Sequence, residues 1–256
     1  MLSTIERRQE IVMLTEKLGK VSVKELAEKF EISTVSIRHD LNELNNLGLV
    51  VRSRGGAVAS NRLTKELSIK EKHKSNHAIK QLIGKAAANL INDGESIIID
   101  SGSTTEEVAP YLSTKKDLTV MTNGLNIANE LSNIPECEVL VAGGSLRKKS
   151  LSFYGADAIK QLGNYNFSKV ILGVDGIDAK CGITTHFEPE ANVNQAMCNS
   201  AQTVIAVTDS SKFNKYSLYS ILPLEKIDII ITDKGIPQEY IDIFESLDIE
   251  LQIVDA

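Results

Sequence analysis

Residues 21–58 read VSVKELAEKFEISTVSIRHDLNELNNLGLVVRSRGGAV. Ser22 followed three residues later by Glu25 is a capping box, in which each side chain satisfies a backbone N–H at a helix start. Val23, Leu26, Ala27 and Phe30 then share one face, so the spacing predicts a short helix ending near Glu31. A tight turn at Glu31-Ile32-Ser33 leads to a further helix from Thr34 to about Leu47, with Ile37, Leu41, Leu44 and Leu47 facing inward and Gly48 closing it. Leu49–Ala57 reads as a short basic hairpin. Upstream, Ser3 and Glu6 form another capping box, and Ile11, Leu14 and Leu18 mark a first helix that Gly19 stops. Three helices with a short middle member and a basic hairpin behind them describe a winged helix-turn-helix. A plain three-helix bundle would share the helices, but needs neither the polar outer face of the third nor the hairpin.

That outer face carries Val35, Arg38, His39 and Asn42, with Ser36 at its flank. Arg can donate twice to guanine, Asn can pair with adenine, and an exposed Val can meet a thymine methyl. Ser33 and Thr34 stand at the helix start, where hydroxyls and unpaired N–H groups suit phosphate oxygens. Arg52 and Arg54 on the wing can neutralise phosphate or enter a minor groove.

Working outward, residues 58–75 are polar and charged, with Lys65, Lys70, Lys72 and Lys74, and read as a connector, in part helical. From Asn76 the texture changes. A helix over Ala78–Leu90 leads to apolar runs at 97–99, 118–121, 139–141, 170–173, 204–207, 227–231 and 251–254. Most are rich in Ile and Val and unalternating, as strands buried on both faces are. Helix-like stretches at Glu106–Leu112, Leu125–Leu131 and Glu190–Ala201 separate several of them, which predicts an α/β domain with a mainly parallel sheet. The expected domains are therefore a winged helix-turn-helix over 1–57, a linker over 58–75 and an α/β sensing domain over 76–256.

After the first of these strands comes Asp100-Ser101-Gly102-Ser103-Thr104-Thr105, a run of small hydroxylated residues and a Gly where strand gives way to helix. Exposed backbone N–H groups and the close approach that Gly permits suit an anion there, although Ser and Thr also serve simply as caps. Comparable clusters follow other strands, and together they nominate Asn123, Gly124, Gly144, Arg147, Asp175, Glu190 and Lys212. Arg147 and Lys212 offer charge to a phosphate; Asn123, Asp175 and Glu190 offer partners to sugar hydroxyls.

Charge and composition bound the function. Residues 1–75 hold 14 Lys/Arg against 10 Asp/Glu, whereas residues 76–256 hold 14 against 24. A mildly basic head on an acidic body fits a DNA-binding domain attached to a sensor. With 5% aromatics and no Trp, an aromatic platform for single-stranded nucleic acid is disfavoured. Cys137, Cys181 and Cys198 lack metal-ligand spacing, so neither a zinc site nor a cofactor is expected. No apolar run approaches the roughly 20 residues of a membrane span, and the charged, amphipathic start reads as part of the fold; a cytoplasmic location is expected.

Glu6–Ile11 together with the quoted stretch resembles the N-terminal signature of the DeoR family of sugar-metabolism regulators. The likeness continues in the family's order through IIIDSGSTT (97–105), MTNGLNIAN (121–129), AGGSLR (142–147), SFYGADA (152–158), LGVDGID (172–178) and VTDSSKF (207–213). SFYGADA, THFEPEANVNQAMC (185–198) and VTDSSKFNKYSL (207–218) are closer still to family members governing N-acetylgalactosamine and galactosamine use. The resemblance implies a repressor that binds double-stranded operator DNA as a homo-oligomer, dimer or tetramer. It also implies release by a phosphorylated, amino-sugar-type effector and a sensing domain related to ribose-5-phosphate isomerase. One departure is His39, where the family usually carries a second Arg; a neutral His weakens a phosphate or guanine contact.

The alternative is a sugar-phosphate isomerase. Asp175 and Asp178 resemble that enzyme's paired aspartates, and Glu190 stands near the place of its base. However, its glycine-rich segment is reduced to Lys180-Cys181-Gly182, its Arg-Glu-Lys becomes Pro189-Glu190-Ala191, and Asn194 stands where many family regulators carry Lys. Without a nearby cation the developing negative charge of an enediolate is poorly stabilised. Binding without turnover is the expectation.

Overall fold

Both N-terminal capping boxes are made: Ser3 Oγ accepts from Glu6 N at 3.3 Å and Ser22 Oγ from Glu25 N at 3.2 Å, with both Glu carboxylates reaching back. The structure is a computed structural model describing residues 3–60 and 66–255. It divides into two units, Met1–Glu66 and Leu67–Ala256.

In the first unit, α1 (Thr4–Leu18), β1 (Lys20–Ser22), α2 (Val23–Phe30) and α3 (Thr34–Asn46) precede β2 (Val50–Ser53) and β3 (Gly56–Ala59). Ile11, Leu26, Ile37, Leu41 and Leu44 from the three helices close over Val21, Val50 and Ala57 from the strands. The helix-turn-helix turn is made by Glu31, whose φ of 53° reverses the chain between α2 and α3. Two residues expected inside lie outside: Leu18 is 63% and Leu47 61% exposed. Each sits at a helix end, where the apolar period outruns the core by one turn. The wing also differs from a plain hairpin, because β1 pairs with β3 to give an antiparallel sheet ordered β1-β3-β2. Gly56 makes that approach feasible, since a Cβ there would lie 2.0 Å from Val21 O. The strand carries the wing to Ala59, two residues past the expected boundary at 57.

The second unit starts earlier than Asn76. Within the expected linker, α4 (Ile69–Lys74) has its own capping box and buries Ile69. Lys65 lies outside the described residues. Then follow α5 (His77–Asn89), β4 (Ser96–Ile99), β5 (Leu118–Thr122), α6 (Leu125–Leu131), β6 (Cys137–Val141), β7 (Ser145–Arg147), β8 (Ser152–Tyr154) and α7 (Ala156–Leu162). The chain continues through β9 (Phe167–Gly173), β10 (Gly176–Asp178), β11 (Gly182–Thr185), α8 (Glu188–Asn199), β12 (Ala201–Val207), β13 (Tyr219–Leu222), β14 (Ile229–Asp233), α9 (Gln238–Ser246) and β15 (Glu250–Val254). All seven expected apolar runs become strands of one parallel sheet, ordered β15-β14-β12-β9-β4-β5-β6. Its residues alternate between two cores: Ile98, Val170, Leu172 and Ala206 on one face, Ile97, Ile99, Ile171 and Ile205 on the other. Burial of both faces is why no polar alternation shows in the sequence.

The strand order places the site. From β4 the chain winds outward through β5 and β6, then returns to lay β9 on the opposite side of β4 and continues to β12, β14 and β15. The carboxyl ends of β4 and β9 thus flank a switch point, the place where open α/β sheets leave a crevice. One expected element changes type: Glu106–Thr114 is a 3-10 helix rather than an α-helix. Pro110 lacks the N–H that an α-helix would donate to the carbonyl four residues back.

Candidate functional site

On α3 the expected reading residues stand together in solvent. Ser33, Thr34, Val35, Ser36, Arg38, His39 and Asn42 are all exposed, Val35 by 70%. The apolar stripe on the opposite side fixes their direction, because Ile37, Leu41 and Leu44 are fully or almost fully buried. Ser33 caps the helix, accepting from Ser36 N at 3.1 Å, and its hydroxyl also meets that of Ser36 at 2.9 Å. Arg54 lies exposed at the wing's tip, whereas Arg52 donates to Gly56 O at 2.6 Å and braces the turn. Asp40, which nothing in the apolar spacing singles out, is buried on the inner side of α3. Its buried carboxylate accepts from Arg7 Nε at 2.7 Å and Arg8 Nε at 2.8 Å, locking α1 to α3. Burial alone would raise this carboxyl; the two guanidiniums outweigh it and hold it below the usual range.

At the switch point in the second unit lies a cleft with about 700 Å³ of open space, including its mouth. Asp100, Ser101, Gly102, Ser103 and Thr104 form one wall as the chain leaves β4, and Asp175 follows β9. Glu190 from α8 and Lys212 also line it. Three residues that composition had hidden complete the wall: Lys72 from α4, Lys80 from α5 and Thr185 from β11. Lys80 is 2% exposed and donates to Ser103 Oγ at 3.1 Å and to the Lys72 carbonyl. Its ammonium is pushed down to about 8, first by burial and then by Lys212 and Lys72, against the pull of Asp209 and Glu107. Burial likewise lowers Lys212, despite Asp209 and Asp175 nearby. Three ammonium groups therefore share a confined space beside a loop of hydroxyls.

The carboxylates in the cleft are differentiated. Asp100 is pushed up to about 7, chiefly by burial and further by Glu190 and Asp175, although Gly173 N bonds to it at 3.1 Å. Asp175 goes the other way: Lys72 beside it, aided by His186, overrides burial and keeps it ionised. Thr185 Oγ1 donates to it at 3.3 Å. Glu190 accepts from Arg147 at 3.0 Å and from the Ser150 and Ser152 hydroxyls at 2.5 Å each. Three donors thus hold the Glu190 carboxylate in place.

Five expected contacts do not line the cleft. Thr105 is fully buried and donates to Gly102 O at 3.1 Å, closing the loop on itself. Asn123 accepts from Ser101 N at 2.8 Å and donates to Phe153 O at 3.3 Å, so it shapes the loop from beneath. Gly124 starts α6, with its N–H on Thr122 Oγ1 at 3.0 Å. Gly144, at φ 116°, lets the chain pass Tyr154 O, which a Cβ would meet at 2.4 Å. Arg147 is spent on Glu190 and stacks over the Phe187 ring at 4.3 Å.

A helix-turn-helix with an exposed reading face, followed by an α/β unit with a cation-lined cleft, defines a DNA-binding regulator with its own sensor domain. The comparisons agree. Residues 7–62 match the DeoR-like helix-turn-helix domain and residues 75–234 the DeoR C terminal sensor domain. The chain belongs to the DeoR family of transcriptional regulators. It is 42% identical to an aga operon transcriptional repressor of Escherichia coli O157:H7, over 98% of this chain and 94% of that protein. It is 32% identical to the repressor GlcR of Bacillus subtilis (strain 168), over 98% and 96%. The glycerol-3-phosphate regulon repressor of Escherichia coli (strain K12) is 28% identical over 97% and 98%. Among solved structures, ribose 5-phosphate isomerase A from Methanocaldococcus jannaschii aligns at TM-score 0.40 and 15% identity, covering 54% of this chain and 55% of that one. So distant a likeness has no bearing on activity. The family and these relatives argue for a repressor and against an enzyme. Among the described residues, no helix is long and apolar enough to cross a membrane.

Proposed function

We propose that the chain is a cytoplasmic repressor of a sugar catabolic operon, binding operator DNA as a homo-oligomer through α3 and the wing and leaving it when a sugar phosphate fills the cleft. One observation supports this above the others: Lys72, Lys80 and Lys212 line the same cleft as the Ser101–Thr104 loop within an otherwise acidic body. Burying ammonium groups is costly, and an anion of matching size offsets that cost. The relative named for the aga operon, together with the similarity of 152–158 and 185–198, supports an amino-sugar phosphate as the effector. Asp175 and Thr185 supply polar partners for its hydroxyl or amino groups. For release to occur, the effector must bind the DNA-free form more tightly than the operator-bound form.

Two reading helices in a symmetric oligomer would meet half-sites about 34 Å apart or a multiple of that. Arg38→Ala removes the side chain best suited to a guanine edge and leaves the core untouched. A loss of roughly 1–3 kcal/mol in operator affinity, with unchanged sugar-phosphate binding, is expected from gel-shift and calorimetric titrations. Equal affinity of both proteins for operator and random duplex would refute the assignment of α3.

A further inference from the structure

Lys72 occupies an unusual position: it lies in the cleft, yet it belongs to α4, the short helix that opens the second unit, and stands only six residues after Glu66. Its ammonium is paired with Asp175, and its carbonyl accepts from the Lys80 ammonium. Elsewhere α4 is held by Ile69 N on Lys149 O at 2.9 Å, by His73 Nε2 against Glu106 at 2.7 Å and by the packing of Ile69. Two polar tethers from α4 to the cleft thus run through ammonium groups that face the same space.

An anion cannot enter beside the ionised Asp175 without repulsion unless a cation is shared or transferred to it. Lys72 can make that transfer, because a lysine's rotatable stem lets the ammonium move while its backbone stays. Resting on the cleft being an anion site, we infer that Lys72 is an effector ligand, kept in place by Asp175 until the anion arrives, so that filling the cleft loosens the helix nearest to the DNA-binding head in the chain. When Lys72 leaves Asp175 and Lys80 turns towards the anion, α4 loses these two contacts with the cleft at once and keeps those of Ile69 and His73. The occupancy of the cleft is thereby read on the segment that leads to the head.

The test uses the full chain, with inorganic phosphate and D-galactosamine 6-phosphate as probes in calorimetric titrations. Lys72→Met should weaken both by at least about tenfold, Lys72→Arg should retain most of the affinity, and Asp175→Asn should bind inorganic phosphate more tightly than wild type. Amide hydrogen exchange over residues 67–76 should speed up when wild type is saturated and stay constant in Lys72→Met. If Lys72→Met binds as wild type does, if Asp175→Asn binds inorganic phosphate less well, or if exchange over 67–76 is unaltered, the inference is overturned while the effector cleft stands. If wild type binds neither probe, the cleft assignment falls and this inference with it. Should Lys72→Met fail to fold, Lys72→Arg and Asp175→Asn decide by the same criteria.

Discussion

Lys80→Met is expected to give a protein that folds and holds its operator but no longer responds to sugar phosphate, with effector binding weakened by roughly 2–5 kcal/mol. Methionine keeps the length and apolar stem that pack in a position only 2% exposed. It removes the ammonium that bonds to Ser103 and stands beside Lys72 and Lys212. Stability should change little, because the two hydrogen bonds lost are set against relief of a buried ammonium crowded by Lys212 and Lys72. The pH dependence supplies a sign. In the folded chain Lys80 titrates near about 8, below its unfolded value, so between those two values the unfolded state binds more protons. Wild-type stability should therefore gain as pH rises through that window, and the gain should be missing in Lys80→Met. Effector affinity should move the opposite way: above about 8 the ammonium is lost, and Asp100, at about 7, has already become a carboxylate. Unaltered operator release in Lys80→Met, measured by gel shift across an effector titration, would remove Lys80 from the site.

Asp40→Ala should unfold the head selectively. The carboxylate joins Arg7 and Arg8 of α1 to α3, and removing it strands two guanidiniums that are 13% and 25% exposed. Breaking a buried pair costs about 3–5 kcal/mol, and partial access to water places this case near the lower figure. A head of this size has only a few kcal/mol in reserve. The expected melt shows a low-temperature transition for the head and a body transition close to that of wild type, with operator binding lost and effector binding kept. Because the folded Asp40 is held below its usual range, its contribution is present above the unfolded value near about 4 and disappears as pH falls through the folded value. The head of wild type should thus be the first part to melt in acid. A single melting transition shifted by less than about 1 kcal/mol in Asp40→Ala would show the pair to be no more than a surface contact.

How far the sequence could be read depended on what each signal reports. The strands of the parallel sheet announce themselves because Ile97–Ile99 or Val170–Leu172 must be apolar on both faces, and no other constraint competes there. The hydroxyl loop was equally visible from its place after β4. Side-chain direction within a loop was not: Thr105 and Asn123 turn inward and Ser101 and Ser103 line the cleft, although all four look alike in sequence. Arg147 and Glu190 both read as ligands in sequence, but they come from β7 and α8, 43 residues apart, and only the folded chain shows that they satisfy each other. Lys80 does carry a signal, for it stands at the head of the buried stripe of Ile83, Gly84, Ala87 and Ala88 on α5. A cation on an apolar face must have an anionic or polar partner. Lys72 carried none, being one lysine among several in a stretch whose composition reads as solvated connector.

Release from DNA is the measurement that bears most directly on the whole assignment. The full chain would be bound at fixed, moderate salt to a duplex carrying the promoter beside its own gene, then titrated with D-galactosamine 6-phosphate, N-acetyl-D-galactosamine 6-phosphate and inorganic phosphate. Saturable dissociation by a sugar phosphate, absent in Lys80→Met, is the expected result. Failure to prefer that duplex over random DNA, or persistence of the complex with every sugar phosphate, would contradict it.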